Sequence, residues 1–547
     1  MKKRYYYICM LSVLLLMLVL PTKAASEAEF GKLVKSYTLR TDGSQEMRVQ
    51  KELTLFTHAA MNGLYGESFI IYNPAYQELK IHESYTRQKD GSIVKTPDNA
   101  FVEVLPSAAA DAPAYNGLKE MVVVHTGLEL GATIYLDYSV ITRPGYLPEL
   151  DICESVEELS PIKEYVLSLS VPDNKPLHYE LLNGKMTPVV KTVAGMKTVT
   201  WTLKNVQPRP RMLEVSVSAG NMQAVVASTY GSKANALKVL KKQFPVADDK
   251  VVAELAQKLT ADAKTTDEKV HRLETYIRSL GTCRLSLLQT GYRLRPASEV
   301  IRSAYGTIEE KSVLQAALQQ AAGIPTEVKA AFLKATDEDA VGLSALNGLF
   351  VENQAIADLR DFYAIVNMDA HPVQPAVKPH AISRTDTLKI TPEGGKVLAG
   401  GYRMYTLPQA SEGWAAYEGR MTTLNSQRPV NLLLSYLPDE TYTCIVETTG
   451  GMVPVALPVV KKIDNNIGTV EVAVKKTGDK IEIFRSLKLK KQLITPTEYP
   501  IYYRLMTEWM DGYCRYDFII LKFGNLFSVE IDSGMYPEMQ EFRKRED

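Results

Sequence analysis

RPASEVIRSAYGTIEEKSVLQAALQQAAGIP, residues 295–325, is the stretch whose reading decides the fold. From Pro296 it reads as a short helix, a tight turn at Tyr305-Gly306, and a second helix from about Ile308 to Ala322. Gly323 stands where a helix C-terminal glycine belongs, and Pro325 cannot continue the helix. Val313, Leu314, Ala317, Leu318 and Ala321 recur at the spacing of one buried face. Small residues on such a face permit close packing, as expected of a helix threaded through a domain centre. Glu309 and Glu310 fall in the first turn, where carboxylates complement the positive end of the helix dipole.

A chain of 547 residues is too long for one core, and three domains of ordinary size are expected. Basic and acidic residues balance at 63 each, so no basic surplus points to nucleic acid. The 30 tyrosines against 13 phenylalanines suit β-rich, partly exposed surfaces. Lys2, Lys3 and Arg4 precede an apolar run from Ile8 to Leu20 that is short for a membrane span. Residues 1–25 are therefore expected to be a signal peptide cleaved near Ala24 or Ala25, with an uncleaved anchor as the alternative. Export to the periplasm or beyond the cell, with no membrane span once the signal is removed, follows from that reading. Of the remaining cysteines, Cys153, Cys283, Cys444 and Cys514, only the last two fall in one expected domain. They are too sparse for a disulfide scaffold, and mostly free, buried thiols are expected.

Outward from the opening stretch, residues 26–206 read as β structure. Glu46 to Phe56 alternates apolar and polar residues, and Leu79 to Thr86 and Ile93 to Thr96 flank the turn Lys89-Asp90-Gly91-Ser92. Val122 to His125 and Thr133 to Val140 flank Leu128-Glu129-Leu130-Gly131, read as another turn between strands. Tyr165 to Val171, Leu177 to Leu182 and Val199 to Leu203 continue the pattern, which predicts a β-sandwich or a long twisted sheet. Residues 207–231, with Gln207-Pro208-Arg209-Pro210 and a small-residue run from Ser216 to Gly220, read as a linker. Helical periodicity governs much of 232–383. Asp248 to Ala263 carries Val252, Leu255 and Leu259, and Thr265 with Glu268 forms a capping-box pattern. Thr326 to Leu333 and Phe362 to Val366 read as strands, and Asp337 to Asp358 as a loop. From 384 to 547 β patterns return in Val430 to Leu434, Thr441 to Thr448, Val470 to Lys475 and Lys480 to Leu487, followed by a helix from Tyr499 to Trp509 and a surface tail from Asn525.

Tyr305-Gly306-Thr307-Ile308-Glu309-Glu310-Lys311-Ser312-Val313-Leu314, with Ala321-Ala322-Gly323-Ile324, resembles without a gap the nucleophile segment of the transglutaminase-like family of the papain-like superfamily. The resemblance implies an α+β fold for the central domain. In the family a cysteine thiolate stands at the position of Ile308, where the helix N-terminus lowers a thiol pKa. Asp361-Phe362-Tyr363-Ala364-Ile365-Val366 resembles the strand that carries the general-base histidine, with Tyr363 at the histidine position. The W-L-D-P-T string of the third catalytic residue has no counterpart. Asp369 comes too soon, and Pro372, Pro375 and Pro379 break the strand pattern. The resemblance therefore implies the fold and argues against Cys-His-Asp chemistry. Tyr85 to Val94, His125 to Gly131, Ile134 to Tyr138, Val171-Pro172 and Trp201 resemble the domain of unknown function that precedes bacterial transglutaminase-like domains. Leu407-Pro408, Arg428-Pro429, Leu457-Pro458, Phe484-Arg485 and the Tyr499 to Trp509 block resemble the β domain that follows them.

The expectation is thus an α+β multidomain protein. It has an N-terminal β-sandwich-like domain, a catalytically degenerate central domain and a C-terminal β domain, and it binds a peptide or protein or acts in cell-envelope assembly. Ile308, Glu310, Lys311 and Tyr363 are the candidate groove residues. The competing reading is a cysteine-type peptidase, amidase or transglutaminase with a non-standard nucleophile. Cys283, with His371 or His380 as base, is the candidate, although it follows a helix C-terminus, the wrong end to stabilise a thiolate. A third option makes the central domain a spacer between interacting β domains. The seven histidines lack metal-ligand spacing, no nucleotide-binding loop is present, and no cofactor is expected. Trp201, Trp414 and Trp509 are expected in cores.

Overall fold

The computed structural model describes residues 26–212, 215–245, 249–352, 358–374, 381–391, 393–398, 402–408, 413–414, 425–448, 452–458, 460–510 and 518–523. The expected signal segment, Cys514, His380, Pro375, Pro379 and the tail from Asn525 lie outside the described residues. The chain forms two compact units, residues 1–376 and 377–547.

In the first unit fourteen strands come first: β1 (Ala28–Leu39), β2 (Gln45–Leu55), β3 (Glu67–Tyr72), β4 (Gln77–Arg87), β5 (Ile93–Lys95), β6 (Phe101–Val104), β7 (Lys119–Val124), β8 (Thr133–Thr142), β9 (Asp151–Ser155), β10 (Ile162–Pro172), β11 (His178–Leu182), β12 (Val189–Val193), β13 (Met196–Val206) and β14 (Ala224–Ser228). They build an eight-stranded sheet in the order β12-β13-β10-β1-β2-β8-β4-β5, with β1 and β10 parallel. Two three-stranded sheets, β11-β14-β9 and β3-β7-β6, complete this mixed β domain. The Asp90-Gly91 hairpin forms between β4 and β5, with Gly91 at φ +90°. Leu128 to Gly131 does not join a hairpin: β7 pairs with β3 and β6, and β8 with β2 and β4. Period-2 alternation identifies strands but carries no information on which sheet each enters. Nor is 207–231 only a linker. Its small residues hide β14, an entirely buried strand paired on both sides.

The helices follow as α1 (Lys233–Lys241), α2 (Lys250–Thr260), α3 (Thr266–Ser279), α4 (Ala297–Ser303) and α5 (Ile308–Ala321). Helix α5 is packed on two faces. Leu314 and Leu318 join Val252, Ala256, Leu273, Ile277 and Val300 of the other helices. Val313 and Ala316 join Ala330, Phe332, Leu349 and Val366 of a three-stranded sheet. That sheet is β18-β17-β19, formed by β17 (Lys329–Leu333), β18 (Leu346–Phe350) and β19 (Tyr363–Asn367). The single-stripe expectation is corrected accordingly: Ala316 and Gln319 are buried, whereas Ala321 is exposed. Between the strands numbered β14 and β17 lie the two-residue β15 (Gly281–Thr282) and β16 (Tyr305–Gly306), which pair in parallel. The turn read at Tyr305-Gly306 sits one residue earlier, at Ala304, which takes φ +58°. Strand β18 lies inside the stretch read as a loop, since Gly348 and a register shift at Ala331/Phe332 break its alternation. The core around Val313 also takes in Leu182 and Val226 of β11 and β14, so it runs on into the β domain.

The second unit is mostly β. A five-stranded sheet runs Ala381–Ile390, Asp439–Thr448, Lys480–Leu489, Gly468–Thr477, Lys461–Asp464 in spatial order. Helix α6 (Tyr499–Met510) packs Tyr502, Leu505, Met506 and Trp509 against Val470 and Leu487. Trp201 and Trp509 are buried, and Trp414 packs at the edge of the α6 core. Among the described residues no helix is long and apolar enough to cross a membrane.

Candidate functional site

Thr307 caps α5. Its hydroxyl accepts the Glu310 N–H at 3.2 Å, and Glu310 Oε2 accepts the Thr307 N–H at 3.0 Å, a complete capping box. The T-x-x-E pattern from Thr307 to Glu310 is the local sequence signal for it, and it does not figure among the expectations above. Thr265 makes only half of the box expected there, because Glu268 turns to the Lys264 N–H.

Glu310 does more than cap. Its side chain is fully buried and accepts the Tyr115 hydroxyl at 2.7 Å, the Arg295 N–H at 2.8 Å and the Arg295 guanidinium at 2.9 Å. The Arg295 guanidinium lies over the rings of Tyr305 and Tyr115, at 4.4 and 5.4 Å from their centroids. It also donates to the Tyr305 carbonyl at 2.7 Å. Tyr115 belongs to the segment between β6 and β7. The Ala114 N–H of that segment donates to the Tyr305 hydroxyl at 2.8 Å. The β domain therefore helps hold the N-terminal end of α5. Sequence reasoning does not single out Arg295 and Tyr115, because no spacing rule links them to Glu310.

The other candidates are placed as follows. Ile308, at the first helical position, is 56% exposed. Glu309 is half-buried, and burial raises its carboxyl pKa. Lys311 reaches back to the Leu280 carbonyl and the Thr282 hydroxyl, both at 2.9 Å, and burial lowers its ammonium pKa. Tyr363 opens β19 and is buried opposite Leu333. After β19 the chain turns back through Asn367, whose side chain accepts the Asp369 and His371 N–H groups. It pairs briefly, Val366 with Pro372. Asp369 is spent on Lys241 at 2.6 Å. No acid follows it in the sequence before Asp386.

Cys283 is buried among Ala109, Ala112, Leu118 and Leu285, and its thiol faces the Ala108 carbonyl at 3.3 Å. Burial raises its thiol pKa, the opposite of what a nucleophile needs. Cys153 and Cys444 are free as well, with burial pushing their pKa values up to about 12 and about 11. His178, Asp337 and Asp339 come together with ligand atoms within 4.8 Å of one another, a long-range grouping that sequence spacing could not reveal. Its acceptors already serve the fold: His178 Nδ1 contacts Asp337 at 3.0 Å, and Asp339 accepts the Lys233 N–H at 3.3 Å.

A capped helix with an exposed first residue, packed through Val313 and Ala316 on the sheet that contains β19, is consistent with the transglutaminase-like class of papain-like domains. Comparison with known proteins agrees. The Transglutaminase-like superfamily profile matches residues 253–371, and two domains of unknown function with solved structures match 41–210 (DUF3857) and 402–513 (DUF3858). The crystal structure of a protein from Parabacteroides distasonis ATCC 8503, described as a "putative protease", superposes with a TM-score of 0.78 at 41% identity. The match covers 90% of this chain and 99% of that one. The chain belongs to this family of bacterial multidomain proteins, in which DUF3857 and DUF3858 domains flank a transglutaminase-like domain. A zinc metallopeptidase of the M1 type from Deinococcus radiodurans matches over 37% of this chain and 42% of its own at 11% identity, with a TM-score of 0.20, too low to carry an argument. No curated protein matches the chain.

Proposed function

We propose that the protein is an exported, non-catalytic member of its family that binds a peptide or protein segment over the N-terminal end of α5, in the periplasm or outside the cell. Ile308 carries this reading. By the resemblance of its segment it takes the position of the family's nucleophile, and it presents an apolar side chain to solvent at the first turn of a well-capped helix. An exposed isoleucine there gains by being covered, about 25 cal/mol per Å² of apolar surface removed from water, and offers no atom for acyl transfer. The buried Glu310–Arg295 pair beneath it supports a rigid platform. Tyr363, at the general-base position by the resemblance, is buried.

The test is binding of a fluorescent peptide library to the purified exported protein. Ile308→Asp should weaken the best binders at least tenfold while leaving the unfolding transition in place. The name of the Parabacteroides relative supports the competing reading of a peptidase. Stoichiometric labelling of one cysteine by a thiol-directed probe, together with loss of a peptide-cleaving activity in Cys283→Ser, would end the binding-only reading.

A further inference from the structure

Two lysines enter the inner face of the eight-stranded sheet, and the fold treats them differently. Lys35 on β1 has acids to meet it: Glu154 at 2.6 Å and Glu158 at 3.4 Å, with the Tyr37 hydroxyl also donating to Glu154 at 2.6 Å. Lys51 on β2 has none. Its ammonium donates to Ser68 Oγ at 2.6 Å, and among the described residues it makes no ion pair. Glu158 acts on it only from a distance, and burial drives its pKa down to about 8.

One hydrogen-bond direction is determined by what the groups can do. A lysine ammonium only donates, so the Ser68 hydroxyl must send its own proton elsewhere. Ser68 Oγ lies 2.7 Å from His125 Nε2, and the Ser68 proton finds a partner there when that nitrogen accepts. In that tautomer the neutral imidazole carries its proton on Nδ1. That nitrogen is buried without a partner, in a residue only 4% exposed. The neighbouring Thr126 hydroxyl is buried and unpartnered too. Burial, with Lys51 adding to it, pushes the His125 pKa down to about 3. So weak a base does not activate Ser68 as a nucleophile, and with the proton on Nδ1 the cluster is a set of donors short of acceptors.

Its location is equally specific. In the sheet register Lys51 lies between Leu33 of β1 and Leu136 of β8. Leu33 belongs to the core that includes Leu181 and Val225 of the β11-β14-β9 sheet, and Leu136 to the core that includes Ile70 and Val123 of β3-β7-β6. Lys51 thus marks the seam where two cores under one sheet meet. Lys51 is half-buried, and an ammonium there with no carboxylate beside it is stabilised when an anion joins it.

We propose that this seam binds a small carboxylate: the carboxylate pairs with Lys51, and a second acceptor on the ligand meets the His125 Nδ1–H. A free carboxylic acid and the C-terminus of a peptide share that chemistry. The site is independent of the surface around Ile308.

Titration of the intact exported protein with N-acetylglycylglycine, its C-terminal amide and acetate, followed by calorimetry and thermal shift, tests the proposal. The acid should bind and raise the unfolding temperature, and the amide should bind at least tenfold more weakly. Acetate binding as tightly as the acid would assign the site to free carboxylates, and much weaker binding would assign it to chain termini. Lys51→Met should abolish the response to the acid while unfolding no earlier than wild type, since a methionine there leaves no charge unpaired. Lys51→Gln serves the same purpose should the methionine variant misfold. Equal binding of acid and amide, no binding of either, or an unchanged response in the Lys51 variants would overturn the proposal. So would stoichiometric labelling of Ser68 by a fluorophosphonate, which would make it a nucleophile.

Discussion

At the scale of single residues, the position that held most of the sequence argument, Ile308, is exposed, whereas its neighbour two places on is sealed. Glu310 has a buried guanidinium, a tyrosine hydroxyl and two backbone N–H groups around one carboxylate. Removing one member of a buried ion pair leaves the other uncompensated, which typically costs about 3–5 kcal/mol. Glu310→Gln should therefore lower the stability of the first unit by about 3 kcal/mol, read from the displacement of its urea transition. A loss below about 1 kcal/mol would mean that the pair behaves like a surface contact. Ile308→Cys tests the field at the same helix end. A thiol at an exposed first helical position should titrate below the free value of about 8.5, whereas Cys283, buried against a carbonyl, should titrate above it. The pH dependence of iodoacetamide alkylation separates the two. An Ile308→Cys thiol no more acidic than free cysteine would show that this end of α5 does not lower a thiol pKa.

At the scale of elements, α5 was legible because helices announce their ends. Gly323 takes φ +79°, and the Ile324 N–H returns to the Gln319 carbonyl at 2.9 Å, the glycine-terminated closure expected from the sequence. A side chain in that conformation is strained by about 1 kcal/mol, so Gly323→Ala should destabilise by about that amount in chemical denaturation. No change would mean that the turn relaxes without the closure. What the sequence could not reveal follows from the same physics. Periodicity reports one buried face well, but α5 has two, and the second appears only when the sheet of β17, β18 and β19 is folded against it. Strand β14 is hidden because five small or β-branched residues between a proline-rich run and a helix carry no alternation when both faces are buried. Ile308 and Tyr363 were singled out from register with the family pattern, and the structure finds the first exposed and the second buried. Arg295, Tyr115, Lys51 and His125 were not legible, because their roles depend on partners 15 to 195 residues away that local spacing cannot pair.

At the scale of the first unit as a whole, the β domain and the transglutaminase-like region share a core, and a buried acid is one of the ties between them. Asp151, at the start of β9, accepts the Ser344 N–H at 3.0 Å and the Ser344 hydroxyl at 2.6 Å, both from the segment just before β18. Gly342 leaves room for it, since a Cβ there would come within 2.4 Å of its carboxylate. Burial is the largest influence on Asp151 and raises its pKa to about 6, with the Ser344 hydrogen bonds opposing. The unfolded chain would hold that proton with a pKa near 3.9. The folded state thus binds the proton more tightly, so this group contributes stability at low pH that is lost as pH rises from about 4 through 6. The change is on the order of 2–3 kcal/mol, because each tenfold difference in proton affinity is worth about 1.4 kcal/mol. Asp151→Asn, which cannot ionise, should remove that component. Between pH 5 and 7 wild type should lose more unfolding temperature than the variant, and above pH 7, where the wild-type carboxylate is ionised whether folded or not, the two should change in step. Profiles that run parallel across the whole range would show that folding does not raise the proton affinity of Asp151.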